Sequence, residues 1–371
     1  MITDTLIQGL TQQMVQARVD SVDVRPFQFA TLFPVRRVNG FTWGTISNQL
    51  GRKNVAADIH SDNSTTVRKR RPMFESAKGD IPFISISREL ERSELKQYQL
   101  ALALAKSPDA AQLVQYWGAD VDFCFNGVQS ELEYIALKLV SNAGVLSFNT
   151  TTNATMANEF NLDYDVDADL KMKTSTNWGN ASNADVIGDL VTAVKAAREK
   201  NLHPRYALVN METFYKICSS EQIIKACASF VANAVGVAQT PSLEQVNKML
   251  ASQAFLYGLQ LRVIDQNISR EFTDGTFKSG NPFENDRLVL CETLILGSTQ
   301  YDILAESQFR GIRTERAHTV IKKYGVDEPY KEVTIGQADA IPVFDTAYRN
   351  VYLRTDAKDW LRNESPKRCT P

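Results

Sequence analysis

One apolar stripe limits the folds open to this chain more than any other feature. Between residues 108 and 143, apolar side chains recur at 113, 114, 117, 121, 124, 125, 128, 132, 135, 136, 139 and 140. That spacing keeps them on one face of a helix. No proline interrupts the run. Ser107 suits the N-cap, Pro108 the first helical position and Asp109 the helix dipole, while Gly144 stands where a C-terminal cap is expected. At 1.5 Å per residue the roughly 36 residues span about 54 Å. That length suits a strut better than a compact domain.

The segments before the helix read as extensions. Residues 5–19 predict a short amphipathic helix, with Leu6, Leu10, Met14 and Val15 near helical spacing. Pro26 and Pro34 then enforce an extended path. Along it Phe27, Phe29, Leu32, Phe33 and Trp43 alternate with polar residues, so the segment is expected to lie over another surface. Residues 48–80 are polar and charged, and they predict a projecting hairpin with its tip at Ser61-Asp62-Asn63-Ser64. The basic run Arg68-Lys69-Arg70-Arg71 falls on the returning limb. It reads as a solvated face, a contact with an acidic surface, or a contact with nucleic acid. A strand at 81–86 and a charged helix over 88–106 lead into the long helix.

Residues 147–185 are loop-like. Within them Asp163, Asp165, Asp167 and Asp169 invite a calcium-loop reading, but Ala168 replaces the turn glycine and Thr174 the bidentate glutamate. Period-2 spacing instead puts the four carboxylates on one face of an extended segment. A further unit begins at Asp185 with an amphipathic helix, VIGDLVTAVKAAREKN, led by a Ser182–Asp185 capping pair and closed by Asn201. A strand at 206–209, helices at 211–218, 221–235 and 242–254, and strands at 259–264 and 287–291 complete a mixed α/β domain. From about 295, strand-like stretches at 318–323, 331–335 and 347–353 predict an antiparallel sheet.

Composition removes several function classes. The 371 residues carry 41 Lys+Arg against 43 Asp+Glu, a net charge of −2, which argues against a dedicated nucleic-acid binder. Hydrophobic residues at 43% and charged residues at 23% describe a folded chain of two to three units. The five cysteines, Cys124, Cys218, Cys227, Cys291 and Cys369, form no CxxC pair and predict buried thiols in a reducing compartment. The opening residues lack a signal-peptide pattern, and no apolar run approaches the roughly 20 residues that span a bilayer. His60, His203 and His318 are isolated, no nucleotide-binding or hydrolase motif occurs, and Glu131 and Glu133 point to different sides of the helix. No enzyme activity, cofactor or metal is expected.

Four stretches, in order, resemble a known family. They are Leu32-Phe33-Pro34-Val35 before a polar hairpin; Ile81-Pro82-Phe83-Ile84 through Glu131-Leu132-Glu133-Tyr134-Ile135-Ala136-Leu137; Trp178 through Asp185-Val186-Ile187, Asn201 to Met211 and Ile223-Ile224-Lys225; and Tyr257-Gly258-Leu259, Thr273-Asp274-Gly275, Leu294-Ile295-Leu296-Gly297 and Ala305-Glu306. Together they resemble the major capsid proteins of tailed phages, in the lambda E-type branch of the Hong Kong 97-type capsid fold.

The resemblance implies an α+β fold with an N-arm (1–45), an extended E-loop hairpin (46–80), a P-domain (81–149) with spine helix 108–143, an α/β A-domain (150–300), and a P-domain sheet with a C-terminal tail (301–371). It implies self-assembly into hexamers and pentamers, forming an icosahedral shell around packaged double-stranded DNA that is contacted non-specifically. Implied partners are a portal, decoration proteins and a scaffolding protein, the last a separate chain because no charged prodomain precedes the arm. No membrane is involved; the implied location is the virion, assembled in the host cytoplasm. Inter-subunit contact is expected from Arg68, Lys69, Arg70, Arg71, Phe27, Phe29, Phe33 and Trp43. The chain is expected to keep its own N-terminus, with both ends held by neighbours. An encapsulin-like compartment protein or another virion structural protein is the alternative.

Overall fold

The computed structural model describes residues 2–47, 75–104, 110–148, 160–230, 240–271, 276–303, 306 and 309–360. In chain order the first elements are β1 (Ile2–Thr3), α1 (Gln12–Ser21), α2 (Phe29–Leu32), β2 (Val35–Arg37), β3 (Thr42–Ser47), β4 (Glu75–Asp80), β5 (Phe83–Leu90), α3 (Arg92–Leu104) and α4 (Ala110–Ser141). Next come β6 (Val145–Phe148), β7 (Phe160–Asp163), β8 (Lys171–Lys173), α5 (Val186–Glu199), β9 (Tyr206–Asn210), α6 (Met211–Ser219), α7 (Glu221–Phe230) and α8 (Leu243–Ser252). The remaining strands are β10 (Gln260–Ile264), β11 (Ile268–Glu271), β12 (Phe277–Gly280), β13 (Arg287–Cys291), β14 (Ser298–Asp302), β15 (Ile312–Arg316), β16 (Thr319–Val326), β17 (Lys331–Val343) and β18 (Val351–Arg354). The chain divides into two compact units, 1–45 with 78–136 and 297–343, and 46–77 with 137–296 and 344–371.

The first unit is built on a seven-stranded sheet in the order β1-β16-β17-β14-β2, with β15 added to β16 and β5 to β17. Its core joins Val15 and Val19 of α1, Leu95 and Tyr98 of α3, and Trp117, Val121, Cys124 and Phe125 of α4 to Ile312 and Ile321 of the sheet. The helix seats at backbone contact. A Cβ on Gly336 would lie 2.4 Å from the Cys124 carbonyl oxygen, and one on Gly127 would lie 2.7 Å from Ile86 Cδ1. The predicted strut is therefore a helix pressed onto a sheet. Its predicted N-terminal cap, 107–109, lies outside the described residues. At its other end Ala143 (φ 52°) and Gly144 (φ 78°) are left-handed, and the Gly144 N–H donates to Leu139 O at 2.8 Å. That is a Schellman closure, with Ala143 rather than Gly144 at C′.

The second unit holds a five-stranded sheet, β10-β9-β13-β18-β8. Pairing is parallel for β9 with β10 and for β18 with β8, and antiparallel for β13 with β9 and with β18. Helix α5 is capped by Asp185, whose carboxylate accepts from the Gly188 N–H, so Ser182 plays no part in the cap. Asn201 (φ 60°) closes it as expected. Helix α8 carries a full capping box between Ser242 and Gln245. Buried Asp189 accepts from Trp178 Nε1 and from the Ser175 N–H, both at 2.9 Å, and so fixes the loop before α5 to the helix.

Several expectations are corrected. The first helix starts at Gln12, because Thr11 caps it and Gly9 turns left-handed (φ 82°), while Ile2–Thr3 pair with Val326–Gly325. The strand predicted at 81–86 runs on to Leu90, since alternation continues with Ile84, Ile86 and Leu90 inward. Residues 351–354, predicted within the C-terminal sheet at 301–371, lie between β13 and β8 in the second unit, where Val351, Tyr352 and Leu353 are buried on both faces as in a sheet covered on both sides. Phe29, Phe33 and Trp43, expected to await a neighbouring surface, are buried in their own chain at 2%, 0% and 4% exposure.

The seat of α4 generates a test. Gly336→Ala must push the helix backbone away and should cost about 3 kcal/mol. Gly127→Ala meets side-chain atoms of Ile86 rather than backbone, Cδ1 at 2.7 Å and Cγ2 at 3.0 Å, and gains about 1 kcal/mol of helix propensity, so its loss should be clearly smaller than that of Gly336→Ala. Urea midpoints of the two variants would check this; equal losses would contradict backbone contact.

Candidate functional site

The predicted contact residues fall in three places. Arg68, Lys69, Arg70 and Arg71 lie outside the described residues, as does the hairpin tip at 61–64. The flanking strands β3 and β4 form a two-stranded sheet, the arrangement that a hairpin spanning 46–80 requires at its base. Phe27 is half-buried, with its ring centroid 6.3 Å from that of Phe29.

Polar groups that sequence reasoning passed over hold the N-terminal segment in place. Glu133, fully buried on α4, accepts from the N–H of Gln28 at 3.1 Å and of Phe29 at 2.6 Å, capping α2. Burial lifts its carboxyl from the ordinary 4.5 to about 7, opposed by those two N–H groups. One turn earlier, Gln129 donates to Thr319 Oγ1 at 2.8 Å and stands 3.2 Å from His318 Nε2. The His318 ring packs edge-on against Phe29 and Tyr301, and burial lowers its pKa to about 4. Near the start of the chain, Glu332 on β17 accepts from Thr5 Oγ1 at 2.6 Å and from the Leu6 N–H at 2.8 Å. Arg316 donates to the carbonyls of Val19 and Val22, both at 2.8 Å, closing the end of α1, and Arg18 pairs with Asp122. No apolar count flags Glu133 or Glu332, because a carboxylate ordinarily marks an outward position.

One acidic surface lies in the first unit. The register Leu90↔Glu332 brings the end of β5 beside the start of β17, so that Glu89, Glu91, Glu94, Asp327 and Glu328 lie exposed on one region of the first unit. Glu89 pairs with Lys331 at 2.6 Å. Glu332, next to Lys331, is instead spent inside on the N-terminal segment.

Asp163, Asp165, Asp167 and Asp169 are exposed while Tyr164, Val166 and Leu170 are buried, but the expected extended segment is interrupted: Asp165 is left-handed (φ 48°) and Ala168–Leu170 form a 3-10 turn, with Ala168 exposed as well. Asp163 accepts from the Asp165 N–H, and Asp169 pairs with Lys200. Among the described residues, no group of three His, Cys, Asp or Glu is placed to hold a metal ion, and no helix is long and apolar enough to cross a membrane. Cys124, Cys218, Cys227 and Cys291 are buried, and burial raises each thiol's pKa.

Glu133 and His318 give opposite pH dependences. A carboxyl raised in the fold contributes stability that is present below pH 4.5 and lost as pH rises to 7; a depressed histidine contributes stability present above 6.5 and lost as pH falls to 4. In urea titrations, the wild-type minus Glu133→Gln difference in unfolding free energy should fall by about 3 kcal/mol between pH 4.5 and 7. A flat difference would mean that Glu133 titrates normally.

No family model and no curated protein sequence matches the chain. Among solved structures it is similar to the putative capsid protein of a prophage of E. coli CFT073, at 13% identity and TM-score 0.55, covering 93% of this chain and 99% of that one. It is also similar to a phage-related protein of Bordetella bronchiseptica RB50, at 12% identity and TM-score 0.54, covering 93% and 97%. The likeness runs through both units and nearly the full length of each relative, and at these identities it is a likeness of architecture. The chain has the Hong Kong 97-type phage capsid fold.

Proposed function

We propose that this chain is the major capsid protein of a tailed phage, of the lambda E-type branch, and assembles into the hexamers and pentamers of an icosahedral shell around double-stranded DNA. The carrying observation is the fold likeness, over more than nine-tenths of both chains, to a structure described as a prophage capsid protein. In this reading the first unit is the P-domain with α4 as its spine, the second unit is the A-domain, residues 1–45 are the N-arm and 46–80 the E-loop. The chain is no enzyme and needs no cofactor; its work is done by surfaces. Its partners are its own copies, a scaffolding protein, a portal and decoration proteins, and its place is the virion, assembled in the host cytoplasm.

The inter-subunit contacts proposed here are Phe27 and the limb Arg68-Lys69-Arg70-Arg71, the latter against the exposed carboxylates Glu89, Glu91, Glu94, Asp327 and Glu328 of an adjacent copy. Arginine pairs with carboxylates through two parallel hydrogen bonds. One exposed pair contributes only about 0–1 kcal/mol. Repetition over every subunit multiplies it.

Particles purified from cells expressing the chain should appear in electron micrographs as closed isometric shells; soluble monomers with no shell in any preparation would overturn the proposal. Reversing Arg70 and Arg71 to Glu should leave the subunit folded and sharply lower shell yield. Wild-type yield across salt concentrations would remove the role of the limb and leave the shell assignment standing.

A further inference from the structure

Polar side chains bond to the backbone at several sheet edges of this chain. At β10, the Asn247 carboxamide accepts from the Leu261 N–H at 2.7 Å and donates to the Leu261 carbonyl at 3.1 Å, as a neighbouring strand would. On the far side of the same sheet, Trp360 Nε1 donates to the Met172 carbonyl of β8 at 2.8 Å. In the first unit, Gln16 makes the same two-point contact with Glu315 of β15, at 3.0 and 3.3 Å, and Gln12 donates to the Arg313 carbonyl at 2.8 Å. Sealed edges cannot recruit another strand.

Strand β5 carries no such side-chain seal among the described residues. It is eight residues long and pairs along Phe83–Leu90 with β17 on one side. On its other side, among the described residues, no backbone or side-chain group bonds to it. Phe83, Ser85, Ser87, Arg88 and Glu89 are exposed, Phe83 at 60%. Its C-terminal end sits among Glu89, Glu91 and Glu94, so a strand laid along it is favoured by basic side chains at that end. The chain itself offers such a segment: Arg36 and Arg37 stand exposed on β2.

We propose that the outer edge of β5 receives an extended, arginine-bearing segment of a second copy of this chain. The inference rests on the shell-forming reading and names the surface through which the sheet continues from one subunit to the next. Main-chain hydrogen bonds supply the attachment, and the acidic end sets its direction.

Residue-resolved hydrogen exchange tests it, on the full-length chain as isolated subunit and as purified particles shown by mass spectrometry to contain this chain alone. Strand addition protects every second amide, so alternate amides of 83–90 should exchange at least about tenfold more slowly in particles, beyond the ladder to β17 already present in the subunit. The sealed amides of Leu261 and Glu315 serve as the unchanged reference. Equal rates in both states would overturn the proposal while leaving the shell reading intact. Uniform slowing of all eight amides would also overturn it, since that is covering without pairing. If no particles form, both readings fall.

Discussion

A helix can lie at backbone contact on a sheet only where the sheet presents no side chain, and Gly336 is that place. The Cys124 carbonyl occupies the space a Cβ would need, and Gly127 one turn further along admits Ile86. This seat draws α4 close enough for its polar residues to reach across the interface. Lys323 of β16, fully buried, donates to Thr334 Oγ1 at 2.7 Å. Burial pushes its pKa down, while Glu332 and Asp120 pull it back up. Asp120 in turn faces Arg88 at 3.5 Å. Charges so placed tolerate burial because each has a partner within the same layer.

The N-terminal segment depends on this seat at two points. Glu133 is carried by α4 and Glu332 by β17, and each uses both carboxylate oxygens on the segment, at residues 28–29 and 5–6. The segment is thus part of the first unit's core, although its aromatics alternate as if made for another surface. What the first unit leaves outward among the described residues is the half-buried Phe27, the exposed carboxylates around Glu89, and the edge of β5 away from β17. The first unit is thus a finished core with its exposed polar groups and its open strand edge kept at the margins.

Much of this was legible in local pattern. The stripe over 108–143 predicts α4, Ser242 predicts the start of α8 and Asn201 the end of α5, because each is a signal between residues a few positions apart. The misses are long-range. Phe29 meets a carboxylate 104 positions away, and the partner of β5 lies more than 240 residues downstream. The Val351-Tyr352-Leu353 run announces a buried strand and cannot announce which sheet contains it. Glu133 looked like an outward charge on an amphipathic helix; only the approach of the α2 N-terminus turns it inward.

The central claim is that the helix seat and the N-terminal clamps form one cooperative structure. The direct measurement is amide exchange at Leu6 and Phe29, the residues clamped by Glu332 and Glu133, in the isolated subunit and in its Gly336→Val variant. Forcing α4 off the sheet should release both amides together, with exchange accelerating at each by a similar factor. Protection at Leu6 and Phe29 that survives in a variant whose α4 amides have themselves become fast would contradict the account.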